Sequence, residues 1–271
     1  MRIVVKWGGS LQDHGEGLAD DIAALWRAIQ LTVVHGGSRD IDDTMRGLGL
    51  PHRTLRSPDG METRYTDEAT LTALMMAMRG RTQARLVSAL IARGVTAVGL
   101  SGMDGRLVRT ERKAAIRAVA GDGVRVVRDN LAGRIVEVDT SVLDAVHAAG
   151  MVPLVCPPGI TAGGQATNVN ADRMACEIAA AWLADRLVLL TNTDGVLACP
   201  ADPSSTISAL SLQDAKQLVP TLSGGMRMKV AAAVEALEKG ARTVQICDGR
   251  VASPLTEALR GRGTLIGEEL G

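Results

Sequence analysis

Phenylalanine is absent from this 271-residue chain, and three tryptophans and one tyrosine are its only large aromatics. The core must therefore be built from Leu, Val, Ile, Ala and Met, and the aromatic platforms that stack nucleic-acid bases are missing. A charge excess is missing as well. Lys+Arg and Asp+Glu stand at 30 each, so no net field draws the chain to nucleic acid or to a membrane surface. Cysteine is sparse: Cys156, Cys176, Cys199 and Cys247 are far apart and match neither a CxxC nor a zinc spacing. Cys156 and Cys247 fall in apolar runs, where a thiol behaves as a small hydrophobe. No apolar run is long enough to span a bilayer, and no signal-peptide pattern opens the chain. A soluble cytoplasmic protein with reduced thiols is expected, with no nucleic-acid or membrane partner.

Several signatures are missing too. There is no GxxxxGK followed by Ser or Thr, which removes a Walker-type nucleotide loop, and no GxGxxG after a strand, which removes the usual dinucleotide signal. No GxSxG elbow occurs, so a serine hydrolase is not expected. His14, His35, His52 and His147 show no metal spacing, and no protein-held metal is expected. His35 is expected to pack or hydrogen-bond behind its loop.

What the chain does have is a pair of related segments, Ile3-Val4-Val5-Lys6-Trp7-Gly8-Gly9-Ser10 and Val33-Val34-His35-Gly36-Gly37-Ser38. Each is a short β-branched run closed by Gly-Gly-Ser, the pattern of a buried parallel strand. Glycine at a strand end lets backbone N–H groups approach an anion with no Cβ in the way. Lys6 adds a cation at the same edge. Either loop alone reads as an ordinary βα turn; the pair with the lysine reads as a phosphate site.

The rest alternates strand and helix. Leu18, Ile22, Leu25, Trp26 and Ile29 recur at helical spacing, Leu31–His35 is a strand, and 39–48 is a helix. Residues 49–65, rich in Pro, Gly, Arg and Ser, read as a loop or hairpin lid. Thr66, with Asp67 and Glu68, is expected to cap a long helix carrying Leu71, Leu74, Met75, Met78, Leu86 and Leu90 to about Gly94. That stripe suits a dimer interface or plain core packing. Val95–Leu100 is a third strand, closed by Ser101-Gly102-Met103-Asp104-Gly105. Val124–Val127 and Arg134–Val138 are expected to form a hairpin around Ala132-Gly133. A helix over 140–149, the strand 152–156, a helix starting at Asn168-Val169-Asn170-Ala171-Asp172 and the strand 187–191 follow. Residues 200–220 read as surface, Gly224-Gly225 opens a helix to about Lys239, and 243–247 is the last buried strand. Alternation of this kind implies a mostly parallel sheet covered on both faces, with ligands at the carboxyl ends of its strands.

The set VVKWGGS, VVHGGS, RYTD, NVNAD, LLTNTDGVL and GGMRMKV, in that order from residue 4 to residue 230, resembles the amino acid kinase family. NVNAD and GGMxxK are similar to acetylglutamate kinases and their near relatives. HGGS in place of HGGG, the lid end SPDGMETRYTD and the stretch LSGMDGRLVRTERKAA resemble the subgroup whose acceptor rides on the amino-group carrier protein LysW; Thr63 stands where that subgroup has Ser. The resemblance implies a three-layer α/β/α fold, with an acceptor-binding and dimerising lobe over 1–166 and an ATP-binding lobe over 167–271. It implies transfer of the γ-phosphoryl of ATP, with Mg2+ carried by the nucleotide, to the side-chain carboxylate of an amino-blocked acidic amino acid. The first acceptor is LysW-carried 2-aminoadipate or glutamate, the alternative N-acetylglutamate. A non-catalytic amino-acid-binding regulatory domain is the reading from another class, and the joint presence of Lys6, Asp172 and Lys229 opposes it. A uridylate or carbamate kinase fits NVNAD and Arg64 less well.

The resemblance also implies roles. Lys6 and Lys229 face the phosphates, Asp172 orients them, and Gly8, Gly9, Gly36 and Gly37 hold the transferred group and the acceptor carboxylate. Arg64 pairs with the acceptor α-carboxylate, a task for a guanidinium fork, and Asn168 meets the blocked amino end. Thr191, Asn192, Asp194, Gly195 and Met226 line the nucleotide site. Each has a plain structural reading beside it: Asp172 as a helix N-terminal acid, Asn168 as a turn residue, Arg64 as a solvated lid charge. A carrier would call for local basic residues, with Arg46, Arg53, Arg56, Arg106, Arg109, Arg112, Lys113 and Arg117 as candidates.

Overall fold

The computed structural model describes residues 1–8, 15–58, 60, 62–120, 123–199 and 201–268. Eight strands make one sheet: β1 (Arg2–Trp7), β2 (Gln30–His35), β5 (Ala97–Ser101), β10 (Val152–Cys156), β13 (Arg186–Thr191), β14 (Ala209–Ser211), β15 (Thr243–Asp248) and β16 (Thr264–Gly267). Their order is β14-β16-β15-β13-β1-β2-β10-β5. Neighbours run parallel except at β15–β16, where Val244 faces Ile266 in an antiparallel register. The expected mostly parallel α/β/α sandwich is what the chain adopts.

The strands alternate residues between two cores. Val4, Val34, Val155 and Leu189 point to one layer. There they meet α5 (Ser141–Ala148), α6 (Ala171–Ala181), α7 (Leu212–Leu218) and α8 (Gly224–Glu238). Ile3, Val5, Val33, Leu154 and Val188 point to the other, against α1 (Gly15–Leu25), α4 (Ala84–Ile91) and α9 (Pro254–Leu259). Because both faces are covered, the strands read as unbroken apolar runs. Each fully buried aliphatic side chain contributes roughly 1.5–3 kcal/mol, so the aliphatic core holds without phenylalanine.

Two short hairpins lie outside the main sheet. The lid is a hairpin, β3 (Thr54–Arg56) with β4 (Glu62–Arg64), paired Thr54 to Arg64. The second joins β7 (Ile116–Ala120) and β8 (Gly123–Val127). Leu55 and Tyr65 pack with Ala118 and Val127 in a small core of their own, so the hairpins lean on each other.

Several local expectations are corrected. The hairpin around Ala132-Gly133 does not form: β9 (Gly133–Val138) pairs with β6 (Val108–Arg112), and β8 with β7. Gly133 is there for close approach, since a Cβ on it would lie 2.3 Å from Thr167 Oγ1. The cap of α3 (Glu68–Met75) is Asp67, whose carboxylate accepts from Thr70 N, while Thr66 turns inward. The first helix ends at Leu25, short of Trp26 and Ile29. The long helix is broken by a π-helical segment, Met76–Gln83, before α4. There the apolar stripe gives way to polar side chains that bind strand ends: Gln83 Nε2 donates to the carbonyls of Leu100 (2.6 Å) and Leu154 (2.9 Å). Residues 200–220 hold an edge strand and α7, and β16 lies beyond the strand expected to be last. Cys156, Cys176 and Cys247 are buried free thiols, and Cys199 is exposed.

His35 and His147 both have pKa values drawn down to about 4, chiefly by burial. Both are neutral in the native state, whereas an unfolded histidine takes up its proton near pH 6.5. Stability is therefore full above about pH 6.5 and declines as pH falls toward 4, because the unfolded chain then binds more protons. Urea denaturation is expected to show a midpoint falling between pH 7 and pH 5. His147→Gln should flatten that dependence, and an unchanged slope would contradict this assignment.

Candidate active site

The site begins at the middle of the sheet. β1 pairs with β2 on one side and β13 on the other, Lys6 lying level with Val34 and with Leu189. Within this sheet the other strands before residue 167 lie on the β2 side of this junction, and the later ones on the β13 side. A doubly wound sheet opens its crevice where the strand order reverses in this way. The two glycine loops leave adjacent strand ends, and Gly36 N donates to Trp7 O at 3.3 Å.

On the helix side of β1, Lys6 meets α6. Asn170 caps that helix, accepting from the N–H groups of Asp172 (2.8 Å) and Arg173 (3.1 Å). With the cap supplied by its neighbour, the Asp172 carboxylate is free to face the strand. Lys6 Nζ lies 3.0 Å from Asp172 Oδ1, and Lys229 Nζ, from the second turn of α8, lies 3.6 Å from Oδ2. Lys6 and Asp172 are only 6% and 8% exposed. Burial pushes the Asp172 carboxyl up, but the two ammonium groups outweigh it and hold its pKa below the ordinary value. Burial and the charge of Lys6 pull Lys229 below its usual value, against the attraction of Asp172. Two cations on one acid leave positive charge in a buried pocket, which suits a polyanion.

Gly8 and Lys6 open onto a cavity of about 520 Å³ whose far side is the exposed face of α2 (Ser38–Gly47), with Ser38, Arg39, Asp42, Asp43 and Arg46. Gly9 and Ser10 lie outside the described residues. The carbonyl of Gly36 is 3.1 Å from His35 Nδ1, so His35 sits behind its loop as expected. Gly37 precedes α2 and is pressed against the π segment; a Cβ on it would lie 2.9 Å from Thr82 Oγ1. Thr82 in turn donates to the buried Asp40 at 2.6 Å.

Arg64 ends the lid hairpin, with Nη2 2.7 Å from Asp42 Oδ1. Asn168 is joined to it through Thr66, whose hydroxyl donates to Arg64 O (3.2 Å) and accepts from Asn168 Nδ2 (3.1 Å). Backbone bonds from Leu131 N to Thr66 O and from Asn168 N to Leu131 O complete this seam. In sequence Thr66 reads as a helix cap within RYTD and Gly133 as a turn, so neither Thr66 nor the 130–133 segment is among the expected site residues.

The remaining residues gather at the end of β13 and the start of α8. Thr191 closes β13, and its hydroxyl is 3.4 Å from Asn192 Oδ1. Asp194 accepts from Arg262 at 2.9 Å. Gly195 has φ +155°, and a Cβ there would lie 2.6 Å from Thr264 Oγ1. Met226 is half-buried against the core. Among the described residues no group of His, Cys, Asp and Glu could hold a metal by itself.

Residues 1–248 match the model of the amino acid kinase family. The chain belongs to that family. It is 36% identical over 267 residues to a LysW-aminoadipate kinase of Thermus thermophilus, covering 97% of this chain and 99% of that one. It is 37% identical over 273 residues to an acetylglutamate kinase of Symbiobacterium thermophilum, covering 97% and 90%. Among solved structures it superposes on N-acetylglutamate synthase from Neisseria gonorrhoeae with a TM-score of 0.81 and 28% identity, spanning 99% of this chain but 59% of that longer one. A carbamate kinase from Giardia, at a TM-score of 0.70 and 15% identity, shares the fold. This family member is a phosphotransferase whose acceptor is a carboxyl group.

Removing the acid from a buried two-to-one charge cluster leaves like charges facing each other. Asp172→Asn is expected to lower the unfolding free energy by about 3 kcal/mol, the scale for breaking a buried pair. Adding Lys229→Met to that variant should recover part of the loss in urea denaturation. An unaltered midpoint for the single variant would show that the cluster does not carry this charge.

Proposed function

We propose that the protein transfers the γ-phosphoryl group of ATP to the side-chain carboxylate of an amino-blocked acidic amino acid, 2-aminoadipate or glutamate carried on LysW. The observation that carries the transfer is the buried Lys6–Asp172–Lys229 cluster at the strand ends, between the glycine loops and the start of α8. A carboxylate acceptor is ionised at neutral pH, so no general base is needed. The site's task is to bring two anions into line and to neutralise charge on the group in flight.

Lys6 acts from the acceptor side and Lys229 from the nucleotide side, with Asp172 holding the two ammonium groups in position. Gly8, Gly9 and Gly37 offer backbone N–H groups to the transferred phosphoryl, and Gly36, whose own N–H is bonded to Trp7 O, lets the loop come close without a Cβ. The start of α8 at Gly224-Gly225 adds further N–H groups and the positive end of a helix dipole. Thr191, Asn192, Asp194, Gly195 and Met226 form the nucleotide side. Mg2+ carried by the nucleotide would neutralise phosphate charge beside the two lysines. Arg64 holds the acceptor α-carboxylate. Asn168 accepts from the blocked amino N–H through Oδ1, its Nδ2 being engaged by Thr66. Residues 1–166 act as the acceptor lobe and 167–271 as the ATP lobe, in keeping with their separation about the β1–β13 junction. We place the protein in the cytoplasm as a homodimer; no helix among the described residues is long and apolar enough to cross a membrane.

Two observations support the carrier. One is the likeness to LysW-aminoadipate kinases. The other is the charge of the two hairpins. Several basic candidates are spent internally: Arg53 on Asp67, Arg109 on Glu137, Arg46 on Asp43, and Arg112 on the carbonyls of Asn130 and Arg128. Arg56 on β3 and Arg117 and Arg125 on β7–β8 are exposed and have no ion pair among the described residues. They put basic charge on the lid and on both faces of the second hairpin, which suits an acidic carrier. N-acetylglutamate kinase is the second reading, favoured by the acetylglutamate kinase relative.

Lys6→Ala and Lys229→Ala should each lower kcat by roughly a hundredfold or more, as loss of one transition-state charge contact does in comparable sites. ATP should still bind, as measured by equilibrium titration; near-normal kcat at saturation would remove that lysine from the chemistry. Arg117→Glu with Arg125→Glu should raise KM for carrier-linked 2-aminoadipate severalfold and flatten its salt dependence, leaving KM for ATP in place. Efficient turnover of free N-acetylglutamate alone, at low and moderate salt, would move the assignment to N-acetylglutamate kinase.

A further inference from the structure

Arg64 is poorly satisfied. A guanidinium carries five N–H donors in a planar fork, and its side chain here is 15% exposed. Among the described residues its side-chain contacts are Asp42 Oδ1 at 2.7 Å and the thioether of Met45 at 3.3 Å, a weak acceptor. The contact with Asp42 is close but off axis. Asp42 Oδ1 is sealed from solvent, yet it receives no aligned hydrogen bond among the described residues. His52 Nε2 lies 3.5 Å from the same oxygen.

The position of Asp42 adds to this. It stands on the exposed face of α2 and lines two adjoining cavities, one shared with Lys6 and Gly8 and one with Met45 and His52. A carboxylate thus sits beside the acceptor cavity, on the arginine that the acceptor's own α-carboxylate needs. Paired carboxylate and guanidinium normally adopt a two-pronged, coplanar geometry. Asp42, fixed to a helix, makes a one-point contact instead.

We propose that Asp42 is an internal competitor for Arg64: it holds the guanidinium while the acceptor site is empty, and the incoming α-carboxylate displaces it to form the two-pronged pair. Acceptor affinity is then set by an exchange of carboxylates on one arginine. The contact also ties the lid hairpin to α2, so the same exchange releases the lid from α2 as the acceptor arrives. The inference rests on the reading of Arg64 as the holder of the acceptor α-carboxylate. It holds for carrier-linked 2-aminoadipate and for N-acetylglutamate alike, since both keep a free α-carboxylate.

The test compares KM for the acceptor, with KM for ATP as internal reference, in Asp42→Asn, Asp43→Asn, Arg64→Gln and the double variant Asp42→Asn/Arg64→Gln. Asp42→Asn keeps the shape and removes the competing charge, so acceptor KM should fall roughly three- to fivefold, the range of a partly exposed ion pair. A lowered KM cannot come from misfolding. Asp43, the next acid along the same cavity, controls for bulk charge, and Asp43→Asn should leave acceptor KM within about twofold. In the Arg64→Gln background the effect of Asp42→Asn should vanish. A raised or unchanged acceptor KM in Asp42→Asn, while Arg64→Gln raises it strongly, would overturn the competition and leave the role of Arg64 intact. An unchanged acceptor KM in Arg64→Gln would overturn the role of Arg64 and the competition with it. Equal falls in Asp42→Asn and Asp43→Asn would reduce the effect to general charge and overturn the competition.

Discussion

Everything in this molecule depends on two buried ammonium groups sharing one carboxylate. Lys6 comes from a central strand, Lys229 from α8 and Asp172 from α6. A buried ion needs a partner or it shifts its pKa until it is neutral. Asp172 is what allows two lysines to stay in a site with little water, and the pocket it leaves is positive. The fold serves that arrangement. The sheet places Lys6 where β1 and β13 meet, and α6 and α8 pack on one face so that the first turn of α6 and the second turn of α8 reach the same strand end.

The acceptor side is organised differently, as a seam of hydrogen bonds. Thr66 joins Arg64 to Asn168, and Leu131 is bonded to both the lid end and the NVNAD loop. Arg53 stacks on Tyr65, whose hydroxyl donates to Asp129. The lid hairpin is thus attached to the second hairpin and to the helix carrying Asp172. Whatever seats the acceptor is mechanically linked to the charge cluster, which suits a reaction that must align two bound anions.

Much of this was legible in the chain, and the exceptions have physical reasons. The strand–helix alternation and the Gly-Gly-Ser loops after apolar runs gave the sheet and its active edge, because local composition decides local geometry there. Lys6, Asp172 and Lys229 were each marked by a loop or a helix start. Gly133 misled because glycine signals a turn and a close approach equally, and the Thr167 hydroxyl that explains it is distant in sequence. The π segment left a trace, a polar interruption from Arg79 to Arg85 in an otherwise apolar stripe, but its purpose lies in the carbonyls of Leu100 and Leu154. β16 is four residues long and its partners are β15 and β14, so no period could reveal it. The pairing of Asp42 with Arg64 joins a helix face to a lid and has no signature in sequence at all.

The central claim is that the two lysines face the phosphoryl group in flight rather than serving only to neutralise Asp172. The most direct measurement is a crystal structure of the protein with ADP, aluminium fluoride and the acceptor, the fluoride complex standing in for the transferred group. Both Nζ atoms are predicted to lie within hydrogen-bond reach of that complex, on opposite sides, with Asp172 still between them. A fluoride complex bound with either lysine turned away to Asp172 alone would contradict the claim.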